Sequence, residues 1–184
     1  TSLDGKYFAP HTQWYSLQLG EQGYVIEGTE NAQIPLSATA VDAQNQQHLW
    51  CFVGNNDEGF KLYNRHFGTG FVLAAPTMMN GKQGGSSFVR LVPADKVPKN
   101  YTAVWHFVNS SNLKAPDAQV VYMYEDKLPA NKVNNRDGKL SFWTGGADAG
   151  STFVIRPVTV TDTAVTAIAL PSTNMAPEEA YDLS

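Results

Sequence analysis

Large apolar and polar residues alternate most cleanly between Leu49 and Leu73, and that stretch sets the pattern for the chain. Leu49-Trp50-Cys51-Phe52-Val53 is closed by Gly54-Asn55-Asn56-Asp57-Glu58-Gly59, residues that tolerate left-handed backbone or form side-chain turns. Phe60-Lys61-Leu62-Tyr63-Asn64 alternates next, which predicts Phe60 and Leu62 facing a core and Lys61 and Tyr63 facing out. Gly68-Thr69-Gly70 then turns the chain into Phe71-Val72-Leu73. The pattern predicts a β-meander with one buried face.

The same pattern recurs on both sides. A first unit runs WYSLQL from Trp14, YVIEG from Tyr24, Ile34 to Val41, then LWCFV. A second starts at Phe60 with FKLYN, continues through FVLAAP and SSFVRLV, and ends in AVWHFV at 103–108. A third starts with VVYMYE at 120–125 and gives NKVNNRDG, KLSFW and STFVIRPV. Trp50-Cys51-Phe52-Val53 and Trp105-His106-Phe107-Val108 share the pattern W-x-F-V, with Phe153-Val154-Ile155 in the corresponding place. Leu36-Ser37 stands before Trp50 much as Leu140-Ser141 stands before Phe153. Three units of four short strands are each too small to be stable alone and must share one core. Three blades do not close a propeller, which needs about 4–8, so a threefold barrel is predicted.

These residues resemble the β-trefoil family in its ricin-type lectin-like branch, where a tryptophan-bearing strand ends each repeat and an Asn precedes a small-residue turn. Trp50 and Trp105 match the repeat-closing tryptophan, and Asn64 with Gly68-Thr69-Gly70 matches the Asn and turn. The resemblance implies an all-β chain, a β-trefoil with pseudo-threefold repeats of four short strands over 14–158. It departs most in the third repeat, where Phe153 replaces tryptophan. It also departs where sugar-binding repeats carry an Asp after the second strand: the second repeat has Leu73-Ala74-Ala75, and only the first offers a carboxylate, Glu27, in a comparable place. Residues 1–13 read as a lead-in from a preceding domain. Residues 159–184 read as a linker and the start of a C-terminal sorting segment, because Tyr181-Asp182-Leu183 after a proline-bearing linker resembles the anchoring segments of secreted Bacteroidetes proteins. That resemblance implies a secreted or cell-surface location.

Composition narrows the chemistry. A net charge of −4, with Lys and Arg scattered singly, gives no basic field for nucleic acid. The single cysteine, Cys51, excludes an internal disulfide and reads as a packed or half-covered thiol. No apolar run is long enough to span a bilayer. Asp57-Glu58, Glu125-Asp126, Asp137 and Glu178-Glu179 sit in or beside turns, where carboxylates are solvated or cap backbone, so no catalytic pair is expected. His11, His48, His66 and His106 lack metal-ligand spacing, and no phosphate loop or serine elbow is present, so neither metal nor cofactor is expected.

Binding has more support, because sugar recognition pairs an aromatic ring with amides or charges that grip hydroxyls. In the second repeat Tyr63, Asn64, Arg65, His66 and Phe67 crowd one turn. In the third, Tyr122, Tyr124, Asn134, Asn135, Arg136 and Trp143 offer the same groups. The expected function is noncatalytic binding of a glycan or glycoconjugate, as an accessory module beside a catalytic domain of the same chain. The competing expectation, of a different class, is a structural spacer or protein-docking domain packed against that neighbour.

Overall fold

A computed structural model describes residues 12–30, 33–78, 88–143 and 148–160. Residues 1–11 of the expected lead-in and the expected sorting segment with Tyr181-Asp182-Leu183 lie outside the described residues. The described chain folds as β1 (Trp14–Leu19), β2 (Tyr24–Ile26), β3 (Leu36–Ser37), β4 (Trp50–Asn55), β5 (Gly59–Asn64), β6 (Phe71–Pro76), β7 (Arg90–Pro93), β8 (Tyr101–Thr102), β9 (Trp105–Asn109), β10 (Gln119–Glu125), β11 (Lys132–Arg136), β12 (Lys139–Trp143) and β13 (Thr152–Val158). Short 3-10 turns at Gln46–His48, Gly68–Gly70 and Ala149–Ser151 punctuate them.

Six strands pair in the order β13-β10-β9-β5-β4-β1, and β13 pairs back onto β1, so the barrel has no free edge. The hairpins β2–β3, β6–β7 and β11–β12 stand outside it, one per repeat. They are tied together by Leu140 N–H to Ile34 O at 2.9 Å, Leu36 N–H to Gly138 O at 2.9 Å and Val89 N–H to Leu140 O at 3.0 Å. The architecture is a β-trefoil. The register carries its symmetry: Trp50 stands opposite Asn64, Trp105 opposite Glu125, and Phe153 opposite Leu19.

The repeat-closing indoles have a specific use. Trp50 Nε1 donates to Ile26 O at 3.0 Å and Trp105 Nε1 to Leu73 O at 2.9 Å, so each ties a barrel strand to its own hairpin while filling the core. Phe153 fills the same place without an N–H to donate. Between them Phe52 meets Tyr15 and Phe107 edge-to-face, each at 5.4 Å, and Phe60 meets Phe107 at 5.6 Å.

The alternation misplaced two groups. Tyr63 does leave the barrel core, yet it is buried in a second cluster with Trp14, Leu49, Cys51, Val72, Ala74, Val92 and Ala103. Val97 from the loop after β7 and Tyr101 of β8, with Val158 and Val160, cover that cluster from outside. Cys51 is wholly enclosed there, and burial pushes its thiol far above the ordinary range. Glu125, expected among solvated turn acids, is the last residue of β10 and is fully buried.

Candidate functional site

In the second repeat the expected ligand groups turn inward. Asn64 is inaccessible: its Nδ2 donates to Gln47 O at 2.9 Å and its Oδ1 accepts from His66 N–H at 3.0 Å. It presses on Gly28 so closely that a Cβ there would stand 2.5 Å from Nδ2. Arg65 is also buried, with its guanidinium 5.2 Å over the Trp14 ring. His66 meets Phe67 edge-on at 4.7 Å. Asn64, closed in by Gly28, and Tyr63, covered from outside, are parts of the frame, whereas Arg65, although buried, lines a second pocket of about 300 Å³ with Gln44, Gln46 and Leu49.

Glu27, half-buried just after β2, accepts from Asn45 Nδ2 at 3.2 Å and lies 3.8 Å from His48 Nε2. His48 Nδ1 accepts from the Asp42 amide at 3.0 Å, which fixes the neutral tautomer with its proton on Nε2, toward the carboxylate. Asn45 also caps the 3-10 turn at Gln46–His48 by accepting from Gln47 N–H. Glu27 thus braces the loop whose Gln47 carbonyl holds Asn64.

The third repeat divides in two. Near the base of the β11–β12 hairpin, Lys132 stands opposite Trp143 in register and places Nζ 4.7 Å over the Tyr124 ring. Tyr124 also stacks on His106 at 5.4 Å, and His106 Nε2 meets Asp126 Oδ1 at 3.0 Å. That hydrogen bond, chief among several influences, holds the Asp126 carboxyl below its usual range, while partial burial lowers the Lys132 amine. Tyr124 and Trp143 share this surface, and Asn135 lies away from it, toward the hairpin tip.

At the tip, Asp137 and Gly138 both have left-handed backbone, φ 50° and 80°, the pair a two-residue turn between β11 and β12 requires. Asn135 Oδ1 accepts from Gly138 N–H at 2.8 Å, and Asn134 Nδ2 donates to Ser151 Oγ at 2.8 Å. These contacts set the wall of a pocket of about 370 Å³ whose opposite wall is the β1–β2 turn, with Gln22 and the half-buried Tyr24. Sequence reasoning found Asn134 and Asn135 but missed Gln22 and Tyr24 and took Asp137 only as a turn acid. The signal that could have found them is barrel closure: pairing β13 with β1 sets the first repeat beside the third.

Among the described residues, no cluster of three or more His, Cys, Asp or Glu side chains could hold a metal, and no helix is long and apolar enough to cross a membrane.

No protein-family model and no curated protein matches the sequence. Solved structures do. The chain is similar to ThreeFoil, a designed threefold symmetric protein, at TM-score 0.56 and 11% identity over 80% of this chain and 99% of that one. It is similar to the BEL β-trefoil at TM-score 0.55 and 14% identity, over 82% and 97%. It also resembles the GlcNAcα1-4Gal-releasing endo-β-galactosidase of Clostridium perfringens at TM-score 0.56 and 15% identity, over 80% of this chain but only 33% of that enzyme. At such identities the likeness is one of fold, and the fold is the β-trefoil that the register above describes.

Proposed function

We propose that this chain is a noncatalytic carbohydrate-binding module, accessory to a larger secreted enzyme. The observation that carries the reading is the pocket between the first and third repeats. It combines a half-buried ring (Tyr24), three amide side chains (Gln22, Asn134, Asn135) and one carboxylate (Asp137) around a space of sugar size. Such a set stacks on the apolar face of a pyranose and grips its hydroxyls. A single lining carboxylate gives no acid and base pair for glycoside hydrolysis, which supports binding without cleavage. The endo-β-galactosidase, a third of whose length matches this chain, supports the accessory role. The resemblance of the segment ending in Tyr181-Asp182-Leu183 supports export.

The test is a glycan array followed by titration of the best binder against the intact chain, Tyr24→Ala and Asp137→Asn, each shown to be folded. Selective binding weakened in both variants supports the reading. A folded chain that binds no glycan overturns it in favour of the spacer or docking role.

A further inference from the structure

Each repeat leaves one residue opposite its repeat-closing aromatic, and the three places are equivalent in backbone bonding as well as in register. The residue that follows each donates its amide to the carbonyl just before a closing aromatic: Gly20 to Thr152 O at 2.9 Å, Arg65 to Leu49 O at 2.9 Å and Asp126 to Val104 O at 3.0 Å. The equivalent residues are therefore Leu19, Asn64 and Glu125, and all three are buried. Leu19 brings no polar atom. Asn64 brings an amide whose donor and acceptor are both paired, with Gln47 O and His66 N–H. Glu125 brings a carboxyl group at zero exposure, and neither of its oxygens has a hydrogen-bond partner.

We propose that Glu125 is a proton-operated lock on the third repeat: it closes the barrel corner as a neutral carboxylic acid, and its ionisation loosens the junction of β9 and β10. An ionised carboxylate without a partner is far more costly to bury than a neutral acid, which brings one donor and the same shape.

The surrounding charges do not rescue the anion. Asp126, next on the chain, opposes ionisation, and Lys127 favours it but is drawn to Asp126 Oδ2 at 3.4 Å. From β9, His106 is held by Asp126 and the Tyr124 ring, and from β11, Lys132 lies over that same ring. From β5, Gly59 and Phe60 pack at this level, while the neighbouring Glu58 is exposed and accepts from Asn55 Nδ2. Burial is the largest influence and, with Asp126, pushes the Glu125 carboxyl up to about 7. The backbone amides of Lys127 and Leu128, the latter donating to the Glu125 carbonyl at 3.2 Å, pull it back by less.

The sign follows from linkage. Below about 4.5 the acid is protonated in the folded and the unfolded chain alike and contributes no pH dependence. Between 4.5 and about 7 the folded chain keeps a proton that the unfolded chain has lost, so stability falls as pH rises. Above that window the loss is complete, on the order of a hundredfold in the folding equilibrium. Ordinary paired carboxylates act in the opposite direction.

The experiment is chemical unfolding of the intact chain, Glu125→Gln and Glu125→Leu from pH 4.5 to 8, with the Glu125 carboxyl carbon followed by NMR in the unmodified protein. The expected result is that the unmodified chain loses on the order of a hundredfold more in folding equilibrium across the window than either variant. Its carboxyl is expected to titrate near neutrality. Parallel pH profiles in all three proteins, or a carboxyl that titrates in the ordinary glutamate range, overturn the proposal. Should a variant fail to fold, the NMR titration decides alone.

Discussion

At the end of β5, Asn64 turns its amide into the protein, whereas at the tip of the β11–β12 hairpin Asn135 and Asp137 stand exposed beside a pocket. Both places carry the same kinds of residue: asparagine, arginine and a nearby ring. What separates them is what lies above. Asn64 is closed in by Gly28 and the turn that holds Gln47, so its amide must find partners within the chain. The third-repeat tip ends in a two-residue turn, and its exposed side chains face the β1–β2 turn across an open space. Residue type proposes a site, and the cover over the strands decides whether a ligand can reach it.

The comparison breaks most visibly at Asn64. Asn64→Ala removes a buried amide, leaving His66 N–H without its acceptor and Gln47 O with the Gly28 amide alone beside a void, and is expected to destabilise the chain by about 2–4 kcal/mol. Asn135→Ala, on an exposed hairpin, is expected to cost within about 1 kcal/mol. Denaturant unfolding of the two variants checks this, and equal losses would remove the distinction between frame and site. A step smaller is Trp105→Phe, which copies the third repeat by keeping the ring and deleting the bond to Leu73 O. One buried carbonyl left unpaired predicts a loss of about 1–3 kcal/mol in the same assay.

Much of the fold was legible because the features that build it are local. Alternation marked the strands, glycine clusters marked the turns, and the W-x-F-V pattern marked the strand that closes a repeat, since an indole that must fill a core and reach a hairpin carbonyl admits few substitutes. The burial of Tyr63 and Cys51 was not legible, because period-two alternation says which side of a sheet a residue takes and nothing about a loop folding over that side. The burial of Glu125 was missed for a related reason: at the end of the run VVYMYE and beside a turn it reads as a solvated carboxylate, and only the register with Trp105 shows it as the counterpart of Asn64. Half of the pocket was hidden by distance along the chain. Tyr24 and Asn135 belong to opposite ends of the trefoil and meet through the pairing of β1 with β13.

At the pocket the expected effects fall on affinity. Tyr24→Ala and Asp137→Asn are each expected to weaken glycan binding about tenfold or more, close to 1.4 kcal/mol, with unfolding free energy changed by no more than about 0.5 kcal/mol for Asp137→Asn. Asparagine is the chosen replacement because it tolerates the left-handed backbone that residue 137 adopts. Glycan titration beside an unfolding curve separates the two effects. Loss of stability without loss of affinity would move Asp137 from the site to the frame.

The smallest expected effect is at Tyr124, and it locates the site most finely. Its ring already meets the His106 imidazole and the Lys132 ammonium, so it has less face to offer a sugar than Tyr24 has. Tyr124→Ala is therefore expected to leave glycan affinity within about twofold, the range of surface substitutions away from a contact. If Tyr124→Ala abolishes binding and Tyr24→Ala does not, the ligand lies on the surface that Tyr124 shares with Trp143 and Lys132. His106→Ala would then be expected to strengthen binding by freeing a face of the ring. A null result at Tyr124 with a loss at Tyr24 places the ligand between the first and third repeats, in a site that exists only because the barrel closes.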